Sequence, residues 1–261
     1  MLSARAIYNE IRDDDRTYRL FLSIASAGET QGGWENERIA ALTEDEEFAA
    51  KIRRHGEDEA KHGRLFHALL KKRSLELMDV PLELNYTLLL ENQGIGLSHE
   101  RLREDRPLSD EELIKYLAHS RVTEQRAAEE VDQQKRMFGE DPDIGRAIRM
   151  IADDEVNHLS FTHEELQRFC DRGHERLVRS MLDRYAKVEI RTYREVSLRV
   201  MRAMGDCLGW SGFKRRVLAL GVHAIYLFER AWGWRRMTTL LPPERPNAMA
   251  PRPSGRKPAT A

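Results

Sequence analysis

The chain has 261 residues and a formal net charge of -1; one third of it is charged and 41% hydrophobic. That length buries one large helical core, or one core with a short appended unit, and the near-zero charge supplies no field toward nucleic acid. Two cysteines, Cys170 and Cys207, exclude a disulfide framework, a four-cysteine zinc site and a rubredoxin-type iron site, so a reducing, cytoplasmic compartment is expected.

The N-terminus runs from Met1 into Asp13-Asp14-Asp15 without the apolar run of a secretory signal. Apolar residues Tyr18, Phe21, Leu22 and Ala25 then recur at helical spacing, predicting a first long helix over Arg16 to Leu42. Thr43 with Glu44, Asp45 and Glu46 reads as an N-cap and acidic first turn, opening a second helix to about Lys72. Pro81, Gly94, Gly96 and Pro107 mark the stretch from Arg73 to Leu108 as a long connection with one short helix. Ser109-Asp110-Glu111-Glu112 caps a third helix to about Phe138, Gly139 to Pro142 turns the chain, and a fourth helix runs from Asp143 to about Cys170. Two antiparallel hairpins joined by a long crossover make an all-α, ferritin-like four-helix arrangement over residues 1–172.

Two further helical stretches, about His174 to Met204 and Ser211 to Thr239, form a C-terminal extension over 173–240. The second carries an apolar run from Val217 to Phe228, too short to span a bilayer. It reads as a cover for the bundle or a homodimer face, with peripheral membrane contact through 211–239 as the competing reading. Residues 241–261, rich in Pro, Arg, Ala and Ser, are expected to be disordered.

Two Glu-x-x-His sequences, Glu59 to His62 and Glu155 to His158, each place a carboxylate and an imidazole on one helix face. With 28 Glu and nine His in the chain, about one such pair is expected by chance, so the spacing alone is weak. The second pair lies 96 positions after the first, and Ile148, Arg149, Asp154 and His158 repeat Ile52, Arg53, Asp58 and His62 at that offset. Another Glu stands about thirty residues upstream in each copy, Glu29 and Glu124. The midpoint of Glu29 and Glu59 is position 44, and that of Glu124 and Glu155 lies beside Gly139. Both midpoints fall in the turns read from capping chemistry, which puts four Glu and two His at one level, roughly 22 Å from the hairpin ends. Four carboxylates so close stay ionised only beside cations.

On these residues the sequence resembles the ferritin-like di-iron carboxylate superfamily, whose pattern is Glu, Glu-x-x-His, Glu, Glu-x-x-His. The resemblance covers about residues 15 to 170 and implies two Fe ions, with Mn or a mixed Mn/Fe pair as alternatives. It implies bridging roles for Glu59 and Glu155, with Glu29 and His62 completing one ion and Glu124 and His158 the other. No catalytic residue beyond these ligands is identified. Asp58 and Asp154 precede the two motifs, as in the Asp-Glu-x-x-His form of bacterial multicomponent monooxygenases. Each is expected to accept a hydrogen bond from the outer ring nitrogen of a ligand His.

The resemblance implies O2 activation and oxidation or hydroxylation of a small organic substrate, with an electron-donor protein or reductant as partner. The Ala27-Gly28-Glu29 stretch and the region from His62 to Leu70 faintly resemble demethoxyubiquinone hydroxylases. A rubrerythrin-like peroxidase or ferroxidase, and a non-catalytic iron-binding or storage protein, are the alternatives. His67 and His163 also share the 96 offset but lie about 140° around the helix from the ligand His, and are set aside. Gly32 and Gly33 suggest either close helix packing or room beside a metal. The C-terminal helices are expected to cap the site and set its specificity.

Overall fold

The computed structural model describes residues 3–240, all-helical and without a strand among them. The tail expected to be disordered, 241–261, lies outside the described residues. The chain opens with α1 (Ala4–Asp13), which the sequence reading does not assign; Ser3 caps it by accepting from the Ala6 N–H at 3.2 Å. Its Ile11 is buried with Leu20, Leu84, Met204 and Trp210, so this short helix closes one end of the molecule.

α2 (Asp15–Ala41) starts at Asp14, whose carboxylate accepts from the Arg16 and Thr17 N–H groups. α3 (Glu46–Lys71) is capped by Asp45, which accepts from the Phe48 N–H at 3.0 Å. The expected cap, Thr43, instead donates its hydroxyl to the Ile39 carbonyl at 2.7 Å, finishing α2 rather than starting α3. The two helices approach closely where glycines face each other. A Cβ on Gly33 would stand 3.2 Å from the Gly56 carbonyl, and one on Gly56 would stand 2.9 Å from the Asn36 Cβ.

The long connection crosses the molecule from the end of α3 to the end of α2. It holds a 3₁₀ turn (Leu82–Leu84), α4 (Tyr86–Glu91) and α5 (His99–Leu102), more structure than the one short helix expected. The Leu108 N–H donates to the Leu42 carbonyl at 2.9 Å, pinning the start of α6 (Asp110–Phe138) beside the α2 terminus. Ser109, within the cap read from the sequence, forms a reciprocal capping box with Glu112. After the turn, α7 (Gly145–Phe169) runs back along α6. α3 and α7 lie antiparallel, as the pairs Lys51–Glu165 and His62–Asp154 show. The fully buried Ile52, Leu90, Ile114, Leu117, Val122 and Leu166 fill the space between the hairpins.

Gly173, at φ 95°, lets the chain pass from α7 through a π-helical turn (Cys170–His174) into α8 (Glu175–Cys207). α9 (Gly212–Phe228) follows, then a second π-helical turn (Glu229–Gly233) and the short α10 (Arg235–Thr238). The single helix expected over Ser211 to Thr239 is thus broken, so the extension is more than two helices. Among the described residues no helix is long and apolar enough to cross a membrane.

Arg126 of α6 ties this extension to the hairpins. Its guanidinium donates to both oxygens of Glu189 on α8, at 2.8 and 3.0 Å, and to both oxygens of Glu229, also at 2.8 and 3.0 Å. Tyr86 donates to Glu189, Arg236 donates to Glu229, and the Arg126 plane stacks 4.0 Å from the Tyr193 ring centre. Arg126, Glu189 and Glu229 are all buried, so removing the cation leaves Glu189 without a charge partner and Glu229 with Arg236 alone. Arg126→Ala is therefore expected to cost about 3–5 kcal/mol in urea unfolding. A loss within the error of the measurement would show that the network does not hold the extension.

Candidate metal centre

The side chains named from the sequence come from α2, α3, α6 and α7 and meet inside the molecule. His62, Glu155, His158 and Glu124 are buried, and Glu29 and Glu59 are partly so. His62 turns Nδ1 toward Glu29 Oε2 at 3.1 Å and toward Glu155 Oε1 at 3.9 Å. His158 turns Nδ1 toward Glu124 Oε2 at 3.5 Å, Glu59 Oε1 at 3.6 Å and Glu155 Oε2 at 3.8 Å. The two oxygens of Glu155 thus face different histidines. Donor atoms fall into two groups, Glu29, Glu59 and His62 in one and His55, Glu59, Glu124 and His158 in the other, and Glu59 belongs to both. This is a buried His/Glu cluster that can hold metal.

His55 was missed by the sequence reading. It lies one turn before Glu59 on α3, 3% exposed, with Nε2 3.1 Å from Glu124 Oε1. The signal available was its i, i+4 spacing to Glu59. His67 and His163, set aside earlier, stay outside both groups, and His67 faces Glu76 at 3.5 Å.

The outer contacts cross between hairpins. His62 Nε2 meets Asp154 Oδ2 at 3.0 Å, so Asp154 orients the histidine of the other Glu-x-x-His helix. His158 Nε2 stands 3.8 Å from Asp58 Oδ2, too far for a hydrogen bond, so only one of the two expected bonds is formed. Lys61 was also missed; its ammonium bridges Asp58 at 2.6 Å and Asp154 at 2.7 Å, fastening α3 to α7 beside the site. Gly32 serves Glu59: a Cβ there would lie 2.9 Å from Glu59 Oε2, so its hydrogen leaves room for the carboxylate. Gly33 serves helix packing alone.

The charges are in conflict without a cation. Burial, then the charge of Glu59, pushes the Glu29 carboxyl up to about 8. Burial and the neighbouring Glu124 raise Glu155 well above the carboxylate range. Burial raises Glu124 too, but the facing imidazoles of His55 and His158 overcome it and hold this carboxyl low. Burial depresses His55, His62 and His158, yet their carboxylate partners win and all three end above the ordinary imidazole value. Both ring nitrogens of His158, Nδ1 of His55 and Oε2 of Glu155 are buried without a hydrogen-bond partner. Buried orphan donors and acceptors beside paired carboxylates fit a cation pair.

Beside the cluster lies a cavity of about 460 Å³, which Glu29, Glu59, Glu124 and Glu155 border on one side. α8 walls it with Tyr193, Val196 and Val200, and α1 adds Tyr8 and Ile11. Of the C-terminal helices expected to cap the site, α8 lines this cavity and α9 contributes no residue to it.

The chain matches no protein-family model, no curated protein and no solved structure.

Two outcomes follow from this geometry. Asp154→Ala is expected to weaken Co(II) binding about 10-fold or more, and Asp58→Ala less, since only Asp154 reaches a ligand histidine within hydrogen-bond range; equal effects in a calorimetric titration would contradict this. Glu29 binds its proton in the folded chain up to about pH 8 but in the unfolded chain only to about 4.5. The folded state then holds more protons between those values, and stability falls as pH rises across them. The raised imidazoles act in the same direction. Metal-free protein is expected to lose Tm from about pH 5 to about pH 8, a decline that metal loading removes. A Tm that rises over this interval in metal-free protein would contradict it.

Proposed function

We propose that this chain is a ferritin-like di-metal carboxylate oxidoreductase, most simply di-iron, that uses O2 to oxidise or hydroxylate an organic, largely apolar substrate. The observation that carries the reading is the convergence of Glu29, Glu59, Glu124, Glu155, His62 and His158 from four helices, with the four carboxylates bordering an internal cavity. Glu29 and His62 would hold one ion, Glu124 and His158 the other, with Glu59 and Glu155 between them. Carboxylate and imidazole donors suit Fe and also Mn, and iron is preferred here because the proposed chemistry needs a redox-active pair. When bound, such a pair supplies the electrons and Lewis acidity that no side chain has.

The chain supplies everything else. Asp154 holds His62 with Nδ1 toward Glu29, and Gly32 leaves room for the Glu59 carboxylate, which belongs to both donor groups and would be shared by the two ions. Phe21, Leu22, Leu90, Val196 and Val200 on the cavity wall exclude water and favour an apolar body of substrate. Glu130 on the same wall keeps Oε1 buried without a partner, an acceptor for a substrate hydroxyl or amine. A peroxidase or ferroxidase acting on peroxide or Fe(II) has no use for an apolar space of this size, which is why the organic-substrate reading is placed first. An electron donor, protein or small reductant, completes the proposed cycle.

The test is anaerobic loading with Fe(II), followed by O2 and a reductant, with Glu59→Ala and Glu155→Gln in parallel. About two irons per wild-type chain, with O2 uptake and both properties lost in the variants, is the expected result. Iron content indifferent to both substitutions would contradict the site. Peroxide consumed far faster than O2 would favour the peroxidase reading instead.

A further inference from the structure

The two donor groups are unequal. One offers a single imidazole, His62; the other offers two, His158 and His55, whose ring centres lie 4.0 Å apart. His55 Nε2 is 3.1 Å from Glu124 Oε1 and 3.5 Å from Glu59 Oε1, and His158 Nδ1 is 3.5 Å from Glu124 Oε2 and 3.6 Å from Glu59 Oε1. Both imidazoles therefore aim at the same two carboxylates, and the four donor atoms lie within 4.8 Å of one another.

We propose that His55 is a direct ligand, through Nε2, of the ion that Glu124 and His158 hold, so that this ion has two imidazoles and its neighbour one. The inference rests on the di-metal reading above. His55 Nε2 and His158 Nδ1, the two nitrogens that face this site, meet only carboxylate oxygens of the protein. His158 Nδ1 is buried without a hydrogen-bond partner, an inward nitrogen left open toward the carboxylates that His55 Nε2 also faces. A cation between the two rings gives each an inward lone pair something to bind. Its spacing supports the geometry, because residues four apart on a helix share a face and His55 and Glu59 are such a pair. The nitrogen-richer position is then the one filled first and the one that discriminates Fe, Co or Zn from Mn, since imidazole suits the former and oxygen donors the latter.

The experiment is Co(II) titration of the full-length protein, with metal per chain measured at each step and paramagnetically shifted, solvent-exchangeable imidazole N–H signals counted by ¹H NMR. Wild type is expected to show about three such signals at full loading, from His55, His62 and His158, with those of His55 and His158 appearing at the first equivalent. His55→Gln keeps an amide able to donate to Glu124 and is expected to lose one signal and to reverse or merge the order of filling. Two signals in wild type, both retained in H55Q, would overturn the proposal and leave His55 as a hydrogen-bonding neighbour of Glu124. The wild-type count decides the matter even if the variant does not fold. Wild-type protein that binds no Co(II), or binds it equally after Glu59→Ala, would overturn the di-metal reading itself, an outcome distinct from the loss of His55 alone.

Discussion

Four carboxylates drawn into one interior level are the constraint on which the rest of the structure depends. In water they would repel weakly; inside a helical core their mutual repulsion and lost hydration outweigh what ordinary packing returns. The surroundings divide the charge unevenly. Glu124 stays low because two imidazoles face it, while Glu29 and Glu155 are driven up because theirs do not compensate burial. The arrangement persists because α2 and α3 are locked through Gly33 and Gly56, and because Lys61 joins Asp58 to Asp154 across α3 and α7. A frame that holds buried carboxylates and imidazoles together in this way can accept cations.

The same frame sets the space beside the cluster. α8, held to α6 by Arg126 and Glu189, forms one wall of the cavity, so this buried ion pair helps set the cavity's shape. α9 stands apart from this role: it contributes no residue to the cavity, and its Phe213, Leu220, Leu227 and Phe228 are exposed.

Much of this was legible in the sequence because it is local or repeated. The cap at Ser109 and the hairpin turns follow from short-range rules, and the 96-residue offset with the turn midpoints pointed to the level at which the buried His/Glu cluster forms. What escaped is what the repeat does not contain. His55 has Ile151 at its equivalent position and Lys61 has Asn157, so the logic that promoted the other residues passed over both. The crossing of Asp154 to His62 depends on how the hairpins pack, and the cap at Asp45 instead of Thr43 depends on a hydroxyl turning back to Ile39, neither of which periodicity encodes. α1 is short and has only a few apolar residues, and it is fixed by contact with α2 and the distant Trp210.

The central claim is that a pair of cations belongs among these six side chains, and anomalous diffraction at the iron edge from crystals grown after anaerobic Fe(II) loading tests it most directly. Two peaks about 3.5–4 Å apart, flanked by Glu29 and His62 on one side and Glu124 and His158 on the other with Glu59 and Glu155 between, are the predicted result. No peak at this level of the molecule, or iron bound only at surface carboxylates, would contradict the account.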